Sequence, residues 1–250
     1  MKLKSEIMKT KKLNLILAIL FAYSQIQAQP FQYKGSEFIR IVFLTSQDVL
    51  NRLVPAPLNA NPQGLIILDI GLQKMESGLS YHEMILSIPV EFKSKTGAYS
   101  KLLYLNNVYA ITGGREIWGF PKYDAEITFQ KDGDHITTQI SKDKKLLIEA
   151  ELKLGNVVEN YTAEDPLIFV QKFIPSAEEG TIDVKKIITV YLSNCTYHKY
   201  QEAEAKLTMN SIPDCSIGEI PILTILYASY FEYDYVLGFG KVEYDYLKQE

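Results

Sequence analysis

A mostly β domain is what this 250-residue sequence predicts: a single antiparallel sheet, closed or nearly closed into a barrel, with a few peripheral helices. Three observations carry that expectation. Aromatic residues make up 12% of the chain, with 17 Tyr and 11 Phe beside many Ile, Val and Thr, a composition that suits strands better than helices. Segments of this kind recur between Gly, Pro and polar breaks along the whole chain, with no linker and no internal repeat. Between Ala125 and Leu154, alternating runs flank Asp132-Gly133, a strong hairpin signal. Closure is expected because long strands with free edges invite pairing with other chains.

Residues 1–28 stand apart from that domain. Lys9, Lys11 and Lys12 precede an apolar run from Leu13 to Tyr23, and Ile26-Gln27-Ala28 follows, the pattern of a signal peptide cleaved near Ala28. The run is well short of the roughly 20 residues that span a bilayer, so a secreted or periplasmic protein with no stable membrane span after processing is expected. Residues 29–250 then form the domain. Removing the leader's five lysines and one glutamate from 26 basic and 30 acidic residues leaves a net charge near −8. That balance repels phosphate backbones, and no basic stripe interleaved with aromatics exists, so nucleic acid is not expected as a partner. Cys195 and Cys215 both fall in the exported part, where one disulfide or two separate buried thiols are equally compatible with the sequence.

In chain order, Phe38 to Thr45 reads as a strand, and Thr45 with Asp48 as the capping box of a short helix ending near Leu53, stopped by Val54-Pro55-Ala56-Pro57. Strands follow at Leu65 to Gln73, Tyr81 to Phe92 and Lys101 to Thr112. The meander comes next: Ala125 to Gln130, His135 to Ser141 and Lys145 to Leu154. Further strands are expected at Lys185 to Leu192 and Tyr197 to Met209. Ile220 to Phe231 reads as a helix with Pro221 in its first turn, and Gly238 to Tyr246 as a last strand.

Phosphate-cradling loops, dinucleotide fingerprints and nucleophile elbows are absent, and His82, His135 and His198 lack the spacing of a metal site. The segment Gly113-Gly114-Arg115-Glu116-Ile117-Trp118-Gly119-Phe120-Pro121-Lys122 is the unusual one. It sets a lysine beside the only Trp among apolar and glycine residues. Burial of such a lysine disfavours its ammonium form and frees the amine to attack a carbonyl. A surface lysine after a proline turn is the plainer alternative.

GREIWGFPK resembles the signature of the acetoacetate decarboxylase family. LVPAPL (Leu53 to Leu58), SYHEMILSIPV (Ser80 to Val90), YLNN (Tyr104 to Asn107) and VEYDYLK (Val242 to Lys248) also resemble that family, in its order. The resemblance implies a β-barrel-like domain that assembles into homo-oligomers and holds a Schiff-base lysine, Lys122, in an apolar interior pocket. This same family is the standing example of a lysine activated by desolvation or by a neighbouring cation; here Tyr123 replaces the neighbouring cation, leaving burial as the expected influence. Glu83 matches an active-site glutamate and is the candidate for proton handling; Asp69 matches a second acid. Ser36 stands where the family has a substrate-binding arginine, and Arg40 is no obvious replacement. Trp118, Phe120 and Tyr123 are candidates to wall the substrate site. Of Arg115 and Glu116, neighbours on an expected strand, one is expected to serve structure.

The implied reaction is decarboxylation of a small 3-oxo acid to a ketone and CO2 through a lysine iminium, which requires no metal or organic cofactor. Two alternatives stay open: a lysine-iminium aldolase-dehydratase acting on 2-oxo acids such as pyruvate, and a non-catalytic exported barrel that binds a small hydrophobic ligand.

Overall fold

The computed structural model describes residues 30–213 and 215–248. The expected leader, residues 1–28, lies outside the described residues. Twelve strands form one sheet: β1 (Phe31–Leu44), β2 (Asn59–Ala60), β3 (Leu65–Lys74), β4 (Ser80–Phe92), β5 (Lys95–Leu105), β6 (Lys122–Asp124), β7 (Glu126–Asp132), β8 (His135–Lys142), β9 (Lys145–Val157), β10 (Leu167–Pro175), β11 (Ile182–Met209) and β12 (Thr224–Asp245). Two short helices join them, α1 (Gln47–Leu53) and α2 (Val108–Gly113).

The pairings close on themselves. The order β10-β5-β4-β3-β1-β12-β11 returns to β10, because β10 pairs in parallel with β5 and antiparallel with β11. β11 is long enough to serve twice. Its first residues, Ile182 to Tyr191, pair with β10, and its last residues, Gln201 to Met209, pair with β9 and carry the meander β9-β8-β7.

The central strands are buried on both faces, which explains their nearly continuous apolar runs. On one face Ile39, Ile41 and Phe43 of β1, Ile66, Leu68 and Ile70 of β3, and Met84, Leu86 and Ile88 of β4 form a core covered by Val49 and Leu50 of α1 and by Ile136, Ile140, Ile148 and Leu152 of the meander. The opposite face carries Arg40, Ile67, Asp69, Gln73, Glu83, Ile85 and Ser87, which turn inward around a cavity. Period-two alternation thus sorts two interiors, one apolar and one furnished with charge.

Several boundaries differ from the sequence expectation. The cap of α1 is Ser46, whose side chain accepts from the Val49 N–H, and Thr45 follows the end of its strand. The expected strand to Thr112 stops at Leu105 because Asn107 caps α2 by accepting from the Ala110 N–H. Lys185 to Leu192 and Tyr197 to Met209 are one irregular strand. Ile220 to Phe231 is not a helix: from Thr224 it is β12, which pairs with β1 on one side and β11 on the other. Two partner strands supply peptide hydrogen bonds to a run whose Tyr, Phe and Ile side chains pack well on a sheet, and that outweighs the weak helical spacing. Cys195 and Cys215 are free thiols. Among the described residues no helix is long and apolar enough to cross a membrane.

Candidate active site

Lys122 opens β6, and its position is set by the turn before it. α2 runs into a π turn, Gly114–Trp118, which ends at Gly119 in the left-handed region, φ 87°. A Cβ on Gly119 would stand 2.5 Å from the Lys172 Cα, so the chain passes against β10 only as glycine. Lys172 closes the turn by donating to the carbonyls of Glu116 and Ile117, groups that a helix end leaves unpaired. Gly114 does a second job: a Cβ there would lie 2.6 Å from Lys122 Cδ, so its bareness is the channel through which the lysine side chain runs inward.

Cross-strand register then builds one row of residues. Arg40 faces Asp69, Asp69 faces Ile85, Ile85 faces Leu103, and Leu103 faces Lys122, across β1, β3, β4, β5 and β6. Directly paired residues share a face, so all five point into the same cavity. Its volume is about 120 Å³, below the roughly 300 Å³ at which sites for drug-sized ligands begin.

Lys122 is 7% exposed and Glu83 3%. Nζ lies 2.8 Å from Glu83 Oε1. The contact is one of charge and proximity, since Oε1 has no hydrogen-bond partner. The other oxygen, Oε2, accepts from the Gln73 Nε2–H at 3.0 Å, and Gln73 Oε1 accepts from the Tyr235 hydroxyl at 2.8 Å. The Tyr33 and Tyr81 hydroxyls meet at 3.2 Å. Burial pushes the Tyr33 phenol up to about 12, and burial and then Glu83 hold Tyr81 well above its ordinary value. The amine lies 5.7 Å from the ring centres of both Tyr81 and Phe120.

At another part of the wall Arg40 donates through Nε and Nη2 to the two oxygens of Asp69, at 2.7 and 2.8 Å. The guanidinium also stands 5.3 Å from the Phe231 ring centre. Burial opposes its charge and Asp69 more than restores it, so the pKa is displaced upward and the group stays charged. Asp69 uses two of five guanidinium N–H donors and the Tyr227 hydroxyl faces the same group, so the guanidinium still has donors in excess of these partners.

Of the residues singled out in the sequence, the structure brings Lys122, Glu83, Asp69 and Phe120 to one cavity. It does not bring the others. Tyr123 follows Lys122 on a strand and therefore points the opposite way, 44% exposed, with the Arg115 guanidinium 5.5 Å from its ring centre. Arg115 donates to the Lys122 carbonyl at 3.1 Å, a backbone support. Arg115 and Glu116 lie in the π turn, not on a strand, and Glu116 is exposed. Trp118 lies behind the cavity wall, packed on Phe31 and Phe120 and donating to the Gly238 carbonyl at 3.0 Å. The environment of the lysine is also more than burial, because a carboxylate touches it.

Arg40, Gln73, Tyr81 and Tyr235 line the cavity without having been singled out as site residues in the sequence. The usable signal is period two: Asp69 and Gln73 share a face of β3, Tyr81, Glu83 and Ile85 a face of β4, and Phe231, Tyr233 and Tyr235 a face of β12.

Comparison with known proteins gives three kinds of likeness. A family model described as acetoacetate decarboxylase matches residues 20–247. The acetoacetate decarboxylase of Burkholderia multivorans is 29% identical over 225 residues, covering 88% of this chain and 91% of that protein. The crystal structure of acetoacetate decarboxylase from Legionella pneumophila superposes with a TM-score of 0.78 at 23% identity, covering 88% and 89% of the two chains. MppR, an enduracididine biosynthesis enzyme solved with the condensation product of pyruvate and imidazole 4-carboxaldehyde, shares the fold at TM-score 0.77 and 15% identity, over 87% and 90%.

Proposed function

The chain belongs to the acetoacetate decarboxylase family and is a carboxy-lyase of that type, and from that premise we propose that it converts a small 3-oxo acid to a ketone and CO2 with Lys122 as the nucleophile. The observation that carries this reading is the buried Lys122–Glu83 contact, 2.8 Å, at the wall of a cavity sized for a small molecule.

In the proposed sequence a proton passes from Nζ to Glu83 Oε1, leaving a neutral amine and a carboxylic acid side by side. The amine attacks the ketone carbon, and with one proton taken from solvent the carbinol oxygen leaves as water, forming the iminium. The bond to the carboxylate carbon then breaks, its electron pair moves into the iminium, and CO2 departs from an enamine. Glu83 gives its proton to the enamine carbon, which restores an iminium, and water then releases the ketone and the lysine as its ammonium, with Glu83 again a carboxylate. Arg40 is the group suited to hold the substrate carboxylate, since it keeps free donors after pairing with Asp69. Ile85, Leu103 and Phe120 supply apolar wall.

Ser36 is the one feature that favours an aldol-dehydratase on 2-oxo acids instead. It is fully buried, and its hydroxyl accepts from the Lys74 N–H, so it takes no part in the cavity. A panel of 3-oxo and 2-oxo acids, followed for CO2 and for condensation products, separates the two chemistries. CO2 from a 3-oxo acid, lost in Lys122→Ala, is the expected result; condensation without CO2 would select the aldol reading. Export belongs to the same proposal, supported by the lysine-rich leader, and N-terminal sequencing of the native protein is expected to start at or near Gln29.

A further inference from the structure

We infer that Gln73, itself held by Tyr235, is a positioning residue that reserves Oε1 of Glu83 for the proton the reaction moves. This rests on the reading of Glu83 as the proton carrier.

Gln73 is 3% exposed, Tyr235 5% and Glu83 3%, and they reach one another from β3, β12 and β4. A carboxamide has a donor end and an acceptor end, so its orientation dictates what each neighbour experiences. The Tyr235 hydroxyl donates to Gln73 Oε1 at 2.8 Å, which turns Nε2 toward Glu83 Oε2 at 3.0 Å. With a donor fixed against it, Oε2 acts only as an acceptor. A proton on Glu83 must then reside on Oε1, the oxygen without a hydrogen bond that stands 2.8 Å from Nζ.

The reverse orientation fails on two counts. The amide oxygen would face Oε2, a contact tolerable only if Oε2 carried the proton, away from the amine. The Tyr235 O–H, packed between the rings of Tyr33 and Tyr233, would lose the acceptor it now has, an uncompensated buried donor. Burial holds the Tyr235 pKa well above its ordinary value, so the phenol remains a donor throughout the working range. Tyr235 therefore acts on Glu83 through Gln73, and its hydroxyl selects which Glu83 oxygen is protonated.

The proton step can be isolated by following exchange of the α-hydrogens of acetone with D2O by NMR, since that exchange needs the iminium, the enamine and the Glu83 proton but no decarboxylation. The amount of imine at equilibrium is measured separately by borohydride trapping after prolonged incubation with acetone, so that the rate of the earlier proton transfer from Nζ does not enter. Tyr235→Phe and Gln73→Leu are each expected to slow exchange about tenfold while trapping stays within about twofold of wild type. The double variant should exchange no more slowly than Gln73→Leu alone, because Tyr235 works only through the amide. Unchanged exchange in Tyr235→Phe would overturn the inference. So would trapping that falls in step with exchange, the mark of a merely structural role, or losses that multiply in the double variant. If wild-type protein neither traps nor exchanges acetone, the Schiff-base reading falls and the inference with it; a working wild type beside unaffected variants removes the inference alone.

Discussion

At Glu83 the two carboxylate oxygens do different work, because Gln73 occupies Oε2 while Oε1 stands beside the Lys122 amine. Glu83→Gln keeps the shape and removes the transferable proton, so kcat is expected to fall by about 10²- to 10⁴-fold, the usual worth of a positioned acid-base group; steady-state rates against a single 3-oxo acid check it. Arg40 is tested differently. Replacing it alone strands Asp69, whose side chain is 14% exposed, so the informative variant is the pair Arg40→Met with Asp69→Leu. That pair is expected to raise KM about 10- to 100-fold for a carboxylate substrate, the loss of a charge-assisted contact worth about 1.5–3 kcal/mol. Trapping of a neutral ketone on Lys122 should be unaffected. Lys122 and Glu83 are legible in the sequence because each sits in a short segment of family-like residues. Arg40 is not, since its link to Asp69 exists only through the register of β1 on β3. Gln73 and Tyr235 lie 162 positions apart, and no local pattern joins them.

The element that sets the lysine is the π turn, and its glycines make it vulnerable. Gly114→Ala puts a Cβ 2.6 Å from Lys122 Cδ, and the lysine must shift to relieve it. A misplacement of about 1 Å at a reacting group costs on the order of 10²-fold in rate. Activity should therefore drop by about that factor while circular dichroism remains that of the wild type. Full activity in this variant would mean that the lysine has room the structure does not show. In the sequence the turn reads as strand because Trp118 and Phe120 alternate with Gly119, and the glycines hide the helical periodicity that would have marked it. β12 escapes the sequence for the opposite reason. Apolar residues occupy most positions from Ile220 to Phe231, so spacings of two and of three to four are both satisfied, and only the flanking β1 and β11 decide between them.

Across the whole molecule, the hairpin signal and the β-rich composition are enough to specify the class, while closure depends on β10 joining β5 to β11, a contact between distant segments. The same closure buries a set of phenols, and that has a consequence for stability. Tyr33 and Tyr197 are pushed by burial from 10.0 to about 12, and Tyr81, Tyr233 and Tyr235 are raised well above 10.0. For a group raised on folding, stability is fully present below the unfolded value and is lost as pH climbs toward the folded one. Unfolding free energy should thus hold up to about pH 10 and fall between about pH 10 and 12, with the buried tyrosines' share of the phenolate absorbance appearing together with loss of the near-ultraviolet dichroism. Phenolate absorbance that reaches its full amplitude before unfolding would contradict the burial of these residues. The central claim, that one buried lysine facing Glu83 is the nucleophile of a carboxy-lyase, has a more direct test. Wild-type protein incubated with a 3-oxo acid and borohydride, then digested and mapped by mass spectrometry, is expected to carry a single reduced adduct on Lys122, absent together with CO2 release from Lys122→Ala; an adduct scattered over exposed lysines, or CO2 release that survives in Lys122→Ala, would contradict it.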